Sequence, residues 1–285
     1  LGNRHGDWEA FADWRDRQPD TDPRLPARPQ DTAVQFYTSG TTGLPKGAEL
    51  TNANFAFMFE QWTRSWLLKP GTQNIVCLPM FHIGGAGWAI AGLYAGATNH
   101  VVREFVPTRV LEIIERDRIE VMLLVPAMIL FPVQAPQIRE TDLSSLRLIV
   151  YGAAPIPGEL LKQAISIFGC GFQQVYGLTE TTGAITLLPP EDHHPSDAKK
   201  LLSCGYAQVG VELRIVDDAG ADVPAGKVGE IAVRSPQVMA GYWRLPDATQ
   251  RSIKGDWFFT GDAGYLDEKG YLFIHDRVKD MIVSG

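Results

Sequence analysis

Residues 37–47, which read YTSGTTGLPKG, bring hydroxyl side chains, glycines and a lysine together in one short segment. Glycines allow backbone N–H groups to approach an anion without a Cβ in the way, and serine and threonine hydroxyls add further donors. Lys46 supplies a positive charge that can pair with a chain of phosphates. We therefore predict that this segment, the phosphate loop, binds a nucleotide; a flexible loop without a ligand is the alternative. The residues expected to contact phosphate are Thr38, Ser39, Gly40, Thr41, Thr42, Gly43 and Lys46.

The phosphate loop is not of the Walker type, because Gly47 follows Lys46 where a serine or threonine would hold magnesium. Residues 33–37 before the loop suit a buried strand, and Thr51 after it is placed to cap a helix. We therefore expect the loop to lie between a strand and a helix, which is a common position for nucleotide phosphates.

A second motif suited to phosphate chemistry, YGLTET at residues 176–181, follows another predicted strand. Ligands of open α/β sheets bind at the carboxyl ends of the strands. Glu180 could hold a Mg²⁺ ion there, because this ion takes a carboxylate together with phosphate oxygens and waters. The alternative is a turn with a capping threonine. Two phosphate-compatible motifs in one chain favour the nucleotide interpretation.

Four further segments are ambiguous when each is taken alone. The small side chains of GAAP at residues 152–155 could let a flat ring lie on the backbone, but a strand-to-helix turn explains them equally well. Asp262 could accept hydrogen bonds from both hydroxyls of a ribose. His82 is by default a core histidine, and the charged run 276–280 is by default a solvated cluster.

The composition excludes several classes of protein. The chain has 285 residues, 45% of them hydrophobic, and a net charge of −7, which disfavours nucleic acid as a partner. Cys77, Cys170 and Cys204 form no CxxC pair, so neither a disulfide framework nor a zinc site is indicated and a cytoplasmic location is expected. The longest apolar run, residues 121–133, is too short to span a membrane. No feature of the composition indicates an oligomeric state.

The order of the predicted elements indicates the fold class. Strand and helix patterns alternate up to about Cys204, which predicts an α/β architecture with a largely parallel sheet. Residues 190–204 lack periodicity and are expected to form a mobile loop. The predicted strands of this part are 33–37, 75–78, 98–102, 121–125, 146–151 and 171–176, and the helices after the phosphate loop are 84–95, 107–117 and 157–168. A smaller β-rich subdomain follows, with strands at 212–216, 228–233 and 271–274.

In this order and spacing, the motifs resemble those of the adenylate-forming superfamily, which includes acyl-CoA synthetases, adenylation domains and beetle luciferases. The resemblance covers residues from about 30 to 285. It is strongest to bacterial fatty-acyl-CoA ligases, and next strongest to 4-coumarate and feruloyl ligases. The motifs that carry it are YTSGTTGLPKG, LPMFHIGG, YGAAP, YGLTET, GEIAVRSPQVMAGYW, WFFTGD and DRVKDMIVSG.

The resemblance implies the large N-terminal domain of the adenylate-forming fold, in which stacked αβα sheets carry a β-rich subdomain. Residues 1–204 would form the nucleotide- and acyl-binding part, 205–276 the β-rich subdomain and 277–285 the start of a hinge. The chain begins without methionine and stops at that hinge. We therefore expect the C-terminal domain to be absent, and these 285 residues to bind nucleotide but to turn over poorly.

The resemblance also implies a reaction. A fatty or other hydrophobic acid would attack the α-phosphate of ATP to give an acyl-adenylate, and coenzyme A would then displace AMP. ATP, Mg²⁺ and coenzyme A are the implied cofactors, and a small carboxylic acid is the implied partner. The alternatives are an aryl- or hydroxycinnamoyl-CoA ligase, an adenylation module that feeds a carrier protein, and a non-catalytic nucleotide-binding remnant. Amino-acid activation is disfavoured because residues 83–88 contain no acidic group for a substrate ammonium.

Site residues follow from the same resemblance, one by one. The implied catalytic residues are His82 at the substrate carboxylate, Lys46 at the β- and γ-phosphates, Thr179 at the α-phosphate and Glu180 as the metal ligand. The implied nucleotide-binding residues outside the phosphate loop are Gly152, Ala153, Ala154, Gln174, Tyr176, Gly177, Thr179, Asp262 at the ribose, Arg277 and the hinge residue Lys279. The implied acyl pocket is lined by His82, Gly84, Trp88, Gly152 and Gly177.

Overall fold

The computed structural model describes residues 6–38 and 44–277, which form seven α-helices and fifteen β-strands. The helices are α1 Phe11–Asp16, α2 Asn52–Ser65, α3 Ile83–Tyr94, α4 Pro107–Asp117, α5 Pro126–Gln134, α6 Gly158–Phe168 and α7 Pro246–Ser252. The strands are β1 Thr32–Thr38, β2 Lys46–Thr51, β3 Gln73–Val76, β4 Thr98–Val101, β5 Val121–Leu124, β6 Leu148–Gly152, β7 Gly171–Leu178, β8 Gly183–Leu188, β9 Tyr206–Ala207, β10 Glu212–Val216, β11 Gly229–Arg234, β12 Gly241–Tyr242, β13 Ile253–Lys254, β14 Trp257–Leu266 and β15 Leu272–Arg277.

The central sheet has seven strands in the order β4-β3-β5-β6-β7-β8-β9. Strands β4 to β7 along this order pair in parallel, whereas β8 and β9 are antiparallel to their neighbours. Alternate residues of β5 enter different cores: Val121 packs with α2 and α3, and Met122 packs with α4 and α6. Helices therefore cover both faces, as parallel sheets require. The predicted α/β class with a largely parallel sheet is confirmed.

Two smaller sheets flank the central one. Strands β1, β2 and β12 form an antiparallel sheet, and β10, β11, β14 and β13 form another, which β15 extends by pairing with β14. Although β12 lies in the β-rich part of the sequence, it pairs with β2 in the register Gly241↔Glu49. The proposed division at residues 204/205 stays a prediction, and β9 just beyond it belongs to the central sheet.

The phosphate loop connects two strands of a hairpin, so the expectation that it lies between a strand and a helix was wrong. Strands β1 and β2 pair antiparallel, with Thr38 opposite Lys46. Strand β2 was missed because it is short and begins with a lysine and a glycine, although Ala48 and Leu50 are fully buried. Thr51 does cap the following helix α2, as expected. Residues 39–43, which include five of the predicted phosphate contacts, lie outside the described residues.

Both ends of residues 190–204 pack against the rest of the fold, whereas residues 194–199 are exposed, and the expectation that this segment is mobile stays a prediction. His193 and Cys204 are buried, and the Tyr151 hydroxyl donates to His193 Nε2 at 3.0 Å. The backbone N–H of Cys204 donates to the carbonyl of Leu272 at 2.7 Å. These partners are distant in sequence, which is why a local pattern gave no sign of them. In the described ranges, no helix has the length and apolar character needed to cross a membrane.

Candidate active site

The hairpin that carries the phosphate loop meets the turn that follows β7. Thr38, the last residue of β1, has its hydroxyl Oγ1 3.4 Å from Glu180 Oε1 and 3.5 Å from the carbonyl oxygen of Lys46. Glu180 lies in a 3₁₀ turn, Thr179–Thr181, at the carboxyl end of β7. The structure thus brings together three residues that the sequence assigned to phosphate and metal binding, at the edge where ligands of α/β sheets bind.

Tyr242 joins this group, although the sequence analysis gave it no role. Its hydroxyl donates to Glu180 Oε1 at 2.8 Å, and Lys46 Nζ lies 4.3 Å from the centroid of its ring. Burial, and then the neighbouring Glu180 carboxylate, raise the pKa of Tyr242 well above its ordinary value, so the hydroxyl stays protonated at neutral pH. We call Thr38, Lys46, Glu180 and Tyr242 the Glu180 cluster.

The turn that carries Glu180 is held by the segment just before β12. The Met239 N–H donates to the Glu180 carbonyl at 2.8 Å, and Gln237 Nε2 donates to the Thr181 carbonyl at 2.8 Å. In return, the Thr182 hydroxyl donates to the Gln237 carbonyl at 2.7 Å. Glu180 therefore sits on a turn whose backbone is fixed on both sides, which limits the freedom of its carboxylate.

Asp262, the predicted ribose ligand, is bound to strand β7 through its side chain. The hydroxyl of Tyr176 on β7 donates to Asp262 Oδ2 at 2.8 Å, and the Asp262 N–H donates to Thr260 Oγ1 at 3.1 Å. Burial, together with the nearby carboxylate, raises the pKa of Tyr176, so this hydroxyl also stays a donor. Arg277 lies opposite Asp262 in the β14–β15 register, and Lys279 lies outside the described residues.

Gly152 and Gly177 stand where neighbouring backbones come too close for a side chain. A Cβ at Gly152 would lie 2.2 Å from the Val175 carbonyl oxygen, and one at Gly177 would lie 1.9 Å from that of Gly183. Ala153 has a positive φ of 65° and is exposed, as is Ala154. The backbone between β6 and α6 is therefore open to a flat ligand, while the two glycines also have a structural reason to be there.

Gln174 has a buried amide oxygen that accepts no hydrogen bond within the described part of the chain. Its Nε2 lies 3.6 Å from the Sγ of Cys204. An unpaired buried acceptor is costly, and a donor on a ligand would remove that cost. The nucleotide role of Gln174 stays a prediction.

The predicted acyl-pocket residues occupy two different environments. His82 is exposed at the N-terminus of α3, and Gly84 in its first turn is half-buried. Trp88 is only 1% exposed, and its Nε1–H donates to the Ile75 carbonyl at 3.0 Å. Its ring lies 5.3 Å from that of Trp66 in the core. The acyl-pocket assignment stays a prediction, and any pocket wall formed by Trp88 is also part of the core.

Glu180 belongs to no larger cluster of metal ligands in the part of the chain that the structure describes. In residues 6–38 and 44–277, no group of three or more His, Cys, Asp or Glu side chains is arranged to hold a metal ion. A lone carboxylate fits Mg²⁺ better than zinc, because Mg²⁺ keeps several waters and takes its remaining ligands from substrate phosphates. The Glu180 cluster therefore suits a magnesium ion that arrives with a nucleotide.

The AMP-binding enzyme family matches residues 3–243, so the chain belongs to that family. Over 280 residues it is 38% identical to the fatty acid–acyl-carrier-protein ligase ScoC of Streptomyces coeruleorubidus. This alignment covers 96% of this chain and 54% of ScoC. It is 40% identical over 258 residues to the medium/long-chain-fatty-acid–CoA ligase FadD8 of Mycobacterium tuberculosis, covering 90% of this chain and 44% of that one.

Among solved structures, the inhibitor-bound N-terminal domain of FACL13 from Mycobacterium tuberculosis superposes with a TM-score of 0.86 at 31% identity, covering 93% of this chain and 65% of that chain. The superfamily and the fold class expected from the motifs are thus confirmed. The chain spans about half the length of the curated relatives it matches.

Proposed function

We propose that this protein is an ATP-dependent ligase that activates a fatty or other hydrophobic carboxylic acid and transfers it to coenzyme A. The observation that carries the proposal is the convergence of the Thr38 hydroxyl, the Lys46 ammonium and the Glu180 carboxylate at the carboxyl end of β7. Anion donors, a cation and a metal-binding carboxylate are the groups that a Mg-nucleotide requires. The kinds of acid activated by the relatives ScoC and FadD8 support the acyl part of the proposal.

The reaction has two steps. A carboxylate oxygen of the acid attacks the α-phosphorus of ATP, the bond to the pyrophosphate oxygen breaks, and an acyl-adenylate forms. The thiolate sulfur of coenzyme A then attacks the acyl carbon, AMP leaves with the electron pair of the C–O bond, and the thiol proton passes to solvent. Positioning and charge neutralisation supply most of the catalysis in transfers of this type.

The residues of the chain have distinct tasks in that scheme. Lys46 pairs with the β- and γ-phosphates, Asp262 holds the ribose, and His82 borders the carboxylate of the acid. Glu180 would hold a Mg²⁺ ion, which neutralises phosphate charge when bound. Thr179, beside Glu180, would meet the α-phosphate. All of these roles are proposals that rest on the geometry above and on the family motifs.

The acyl acceptor is the least constrained part of the proposal, because a carrier-protein ligase and a CoA ligase are both among the relatives. We propose coenzyme A on the strength of the fatty-acyl-CoA ligase motifs. An aryl-CoA ligase and a module that feeds a carrier protein remain the alternatives. Because the relatives are about twice as long, we also expect these 285 residues alone to bind nucleotide better than they turn over.

The test is pyrophosphate release with Mg-ATP and a panel of acids: straight-chain fatty acids of several lengths, ferulate and an amino acid. It should be run on the chain and on any longer protein that contains it. Hydrophobic acids should stimulate the release of pyrophosphate. Adding coenzyme A should then yield an acyl-CoA thioester, whereas adding an acyl carrier protein in its place should not yield an acylated carrier. Pyrophosphate release that only the amino acid stimulates would disprove the proposal. A lack of release with every acid of the panel in the longer protein would also disprove it.

A further inference from the structure

Tyr242 links the two charged groups of the Glu180 cluster through different parts of its side chain. Its hydroxyl donates to Glu180 Oε1 at 2.8 Å, and its ring lies beneath Lys46 Nζ at 4.3 Å. We propose that Tyr242 is a positioning residue of the nucleotide site, which aims the Glu180 carboxylate at the metal and keeps Lys46 available for phosphate. This inference rests on the proposed function.

The hydroxyl contact orients the carboxylate. Both hydroxyl groups that reach Glu180, those of Thr38 and Tyr242, approach the same oxygen, Oε1. Within the described residues Oε2 receives no hydrogen bond, so this oxygen is the one left to face a cation. A hydrogen bond to an ionised carboxylate is about twice as strong as a neutral one.

The ring contact keeps Lys46 and Glu180 apart. Among the described residues no ion pair joins these two side chains. A direct pair would neutralise both charges before a ligand arrived. The face of an aromatic ring attracts an ammonium group without cancelling its charge. Tyr242 therefore holds the cation near the carboxylate while both stay free to bind ligand.

The backbone gives Tyr242 a fixed position for this task. It lies opposite Ala48 in the β12–β2 pairing, and the next residue, Trp243, donates its N–H to the Gly47 carbonyl at 2.7 Å. The Tyr242 N–H donates to Thr249 Oγ1 at 2.9 Å. Tyr242 is thus anchored to the strand that begins with Lys46, so its ring and that lysine keep a constant spacing.

The experiment measures ATP binding by calorimetry across a range of free Mg²⁺, with adenosine as the ligand that needs no metal. Tyr242→Phe keeps the ring and removes the hydroxyl. We expect it to raise the Mg²⁺ concentration at half-saturation about tenfold, because a hydrogen bond to a charged group is lost. Adenosine affinity should stay within about twofold of that of the unaltered chain, since the ribose and adenine contacts are intact.

Tyr271→Phe is the matched control. The Tyr271 hydroxyl donates to the Asp192 carboxylate at 2.7 Å, outside the Glu180 cluster, so this variant loses an equivalent bond and should keep the original Mg²⁺ dependence. In a Glu180→Gln background, Tyr242→Phe should have no further effect on that dependence. This comparison separates positioning from a general loss of structure.

The outcomes distinguish the inference from the proposed function. An unchanged Mg²⁺ dependence in Tyr242→Phe, or equal losses for ATP and adenosine, would overturn the role of Tyr242 and leave the proposed function standing. A full effect of Tyr242→Phe in the Glu180→Gln background would also overturn it. No Mg-ATP binding by the unaltered chain would overturn the proposed function itself.

Discussion

At the scale of single residues, the proposed phosphate role of Lys46 and the proposed metal role of Glu180 predict that substituting either residue weakens the binding of ligands that have phosphates. Lys46→Ala removes the cation near the end of the phosphate loop, and Glu180→Gln removes the proposed metal-binding charge. We expect each to weaken Mg-ATP binding by tenfold or more, on the order of 1.4 kcal/mol, and adenosine binding by much less. Calorimetric titration of both ligands checks this.

A matched lysine elsewhere controls for the loss of a surface charge. Lys254 Nζ lies 4.3 Å from the centroid of the Phe259 ring, the same arrangement as Lys46 over Tyr242, but in the sheet that contains β13. Lys254→Ala should leave Mg-ATP and adenosine affinities unchanged. Equal losses for the two ligands in Lys46→Ala and Glu180→Gln would contradict the phosphate and metal roles.

Trp88 combines a predicted substrate role with an observed structural one. Because its ring is almost fully buried and its Nε1–H is bonded, Trp88→Ala should cost about 3–5 kcal/mol of unfolding free energy. If the ring also bounds the acyl pocket, kcat/KM should shift toward longer or bulkier acids. Denaturant unfolding of the chain measures the first effect. A chain-length series of acids, run on the chain and on any longer protein that contains it, measures the second.

Trp66 separates those two effects, since it is as buried as Trp88 and its ring lies 5.3 Å away. Trp66→Ala should cost comparable stability and leave the order of preferred acids unchanged. A chain-length profile that stays the same in Trp88→Ala would remove Trp88 from the acyl pocket.

At the scale of elements, strong local patterns were sufficient for some helices and strands. Helix α4 begins at the predicted proline, and β10 has the predicted bounds. Helix α5 was not predicted, because Pro132 lies inside it and reads as a helix breaker. The two-residue strand β12 has no pattern of its own and exists because β2 provides its partner.

The candidate site shows the same limit of local information. The motifs contain Thr38, Lys46 and Glu180 because glycines, hydroxyls and charges are visible in a linear sequence. The bond from Tyr242 to Glu180 joins residues 62 positions apart, and Gln237 reaches Thr181 across 56. Tyr242 and Gln237 both lie in the motif GEIAVRSPQVMAGYW. The resemblance of this motif to the family does not indicate which of its side chains contact the site.

The buried side chain of His193, in segment 190–204, should make the protein sensitive to acid. Burial lowers the pKa of His193, although Glu191 and Asp192 act in the opposite direction. The unfolded chain therefore binds more protons than the folded one as the pH falls below about 6.5. The unfolding free energy should be independent of this group above that pH and should decrease below it. Denaturant unfolding from pH 8 to pH 5 measures the slope.

The neighbouring histidine provides the control for that prediction. His194 is exposed, whereas His193 accepts a hydrogen bond from Tyr151 in the interior. His193→Gln should reduce the slope below about pH 6.5, and His194→Gln should leave it as it is. An equal slope in both variants would show that His193 is not the group responsible.

At the scale of the whole molecule, residues 235–242 connect the three sheets. Asn54 Nδ2, at the start of α2, donates to the carbonyls of Pro236 at 2.7 Å and Val238 at 2.9 Å. Gln237 contacts the turn that carries Glu180, and β12 pairs with β2 of the hairpin. Residues 235–242 therefore hold together parts of the site that come from separate sheets. Substitutions in this segment should weaken nucleotide binding.

Gln237 tests that connection. Its buried Nε2 donates to the Thr181 and Ala184 carbonyls, both at 2.8 Å, so Gln237→Ala should cost about 1–3 kcal/mol of unfolding free energy and loosen the turn beneath Glu180. Gln208 is also buried and donates to the Ala184 carbonyl at 3.1 Å, and among the described residues it forms no hydrogen bond with that turn. Gln208→Ala should cost similar stability. Mg-ATP affinity should fall several-fold in Gln237→Ala alone, and an equal fall in both variants would mean that nucleotide binding follows stability, not the geometry of the turn.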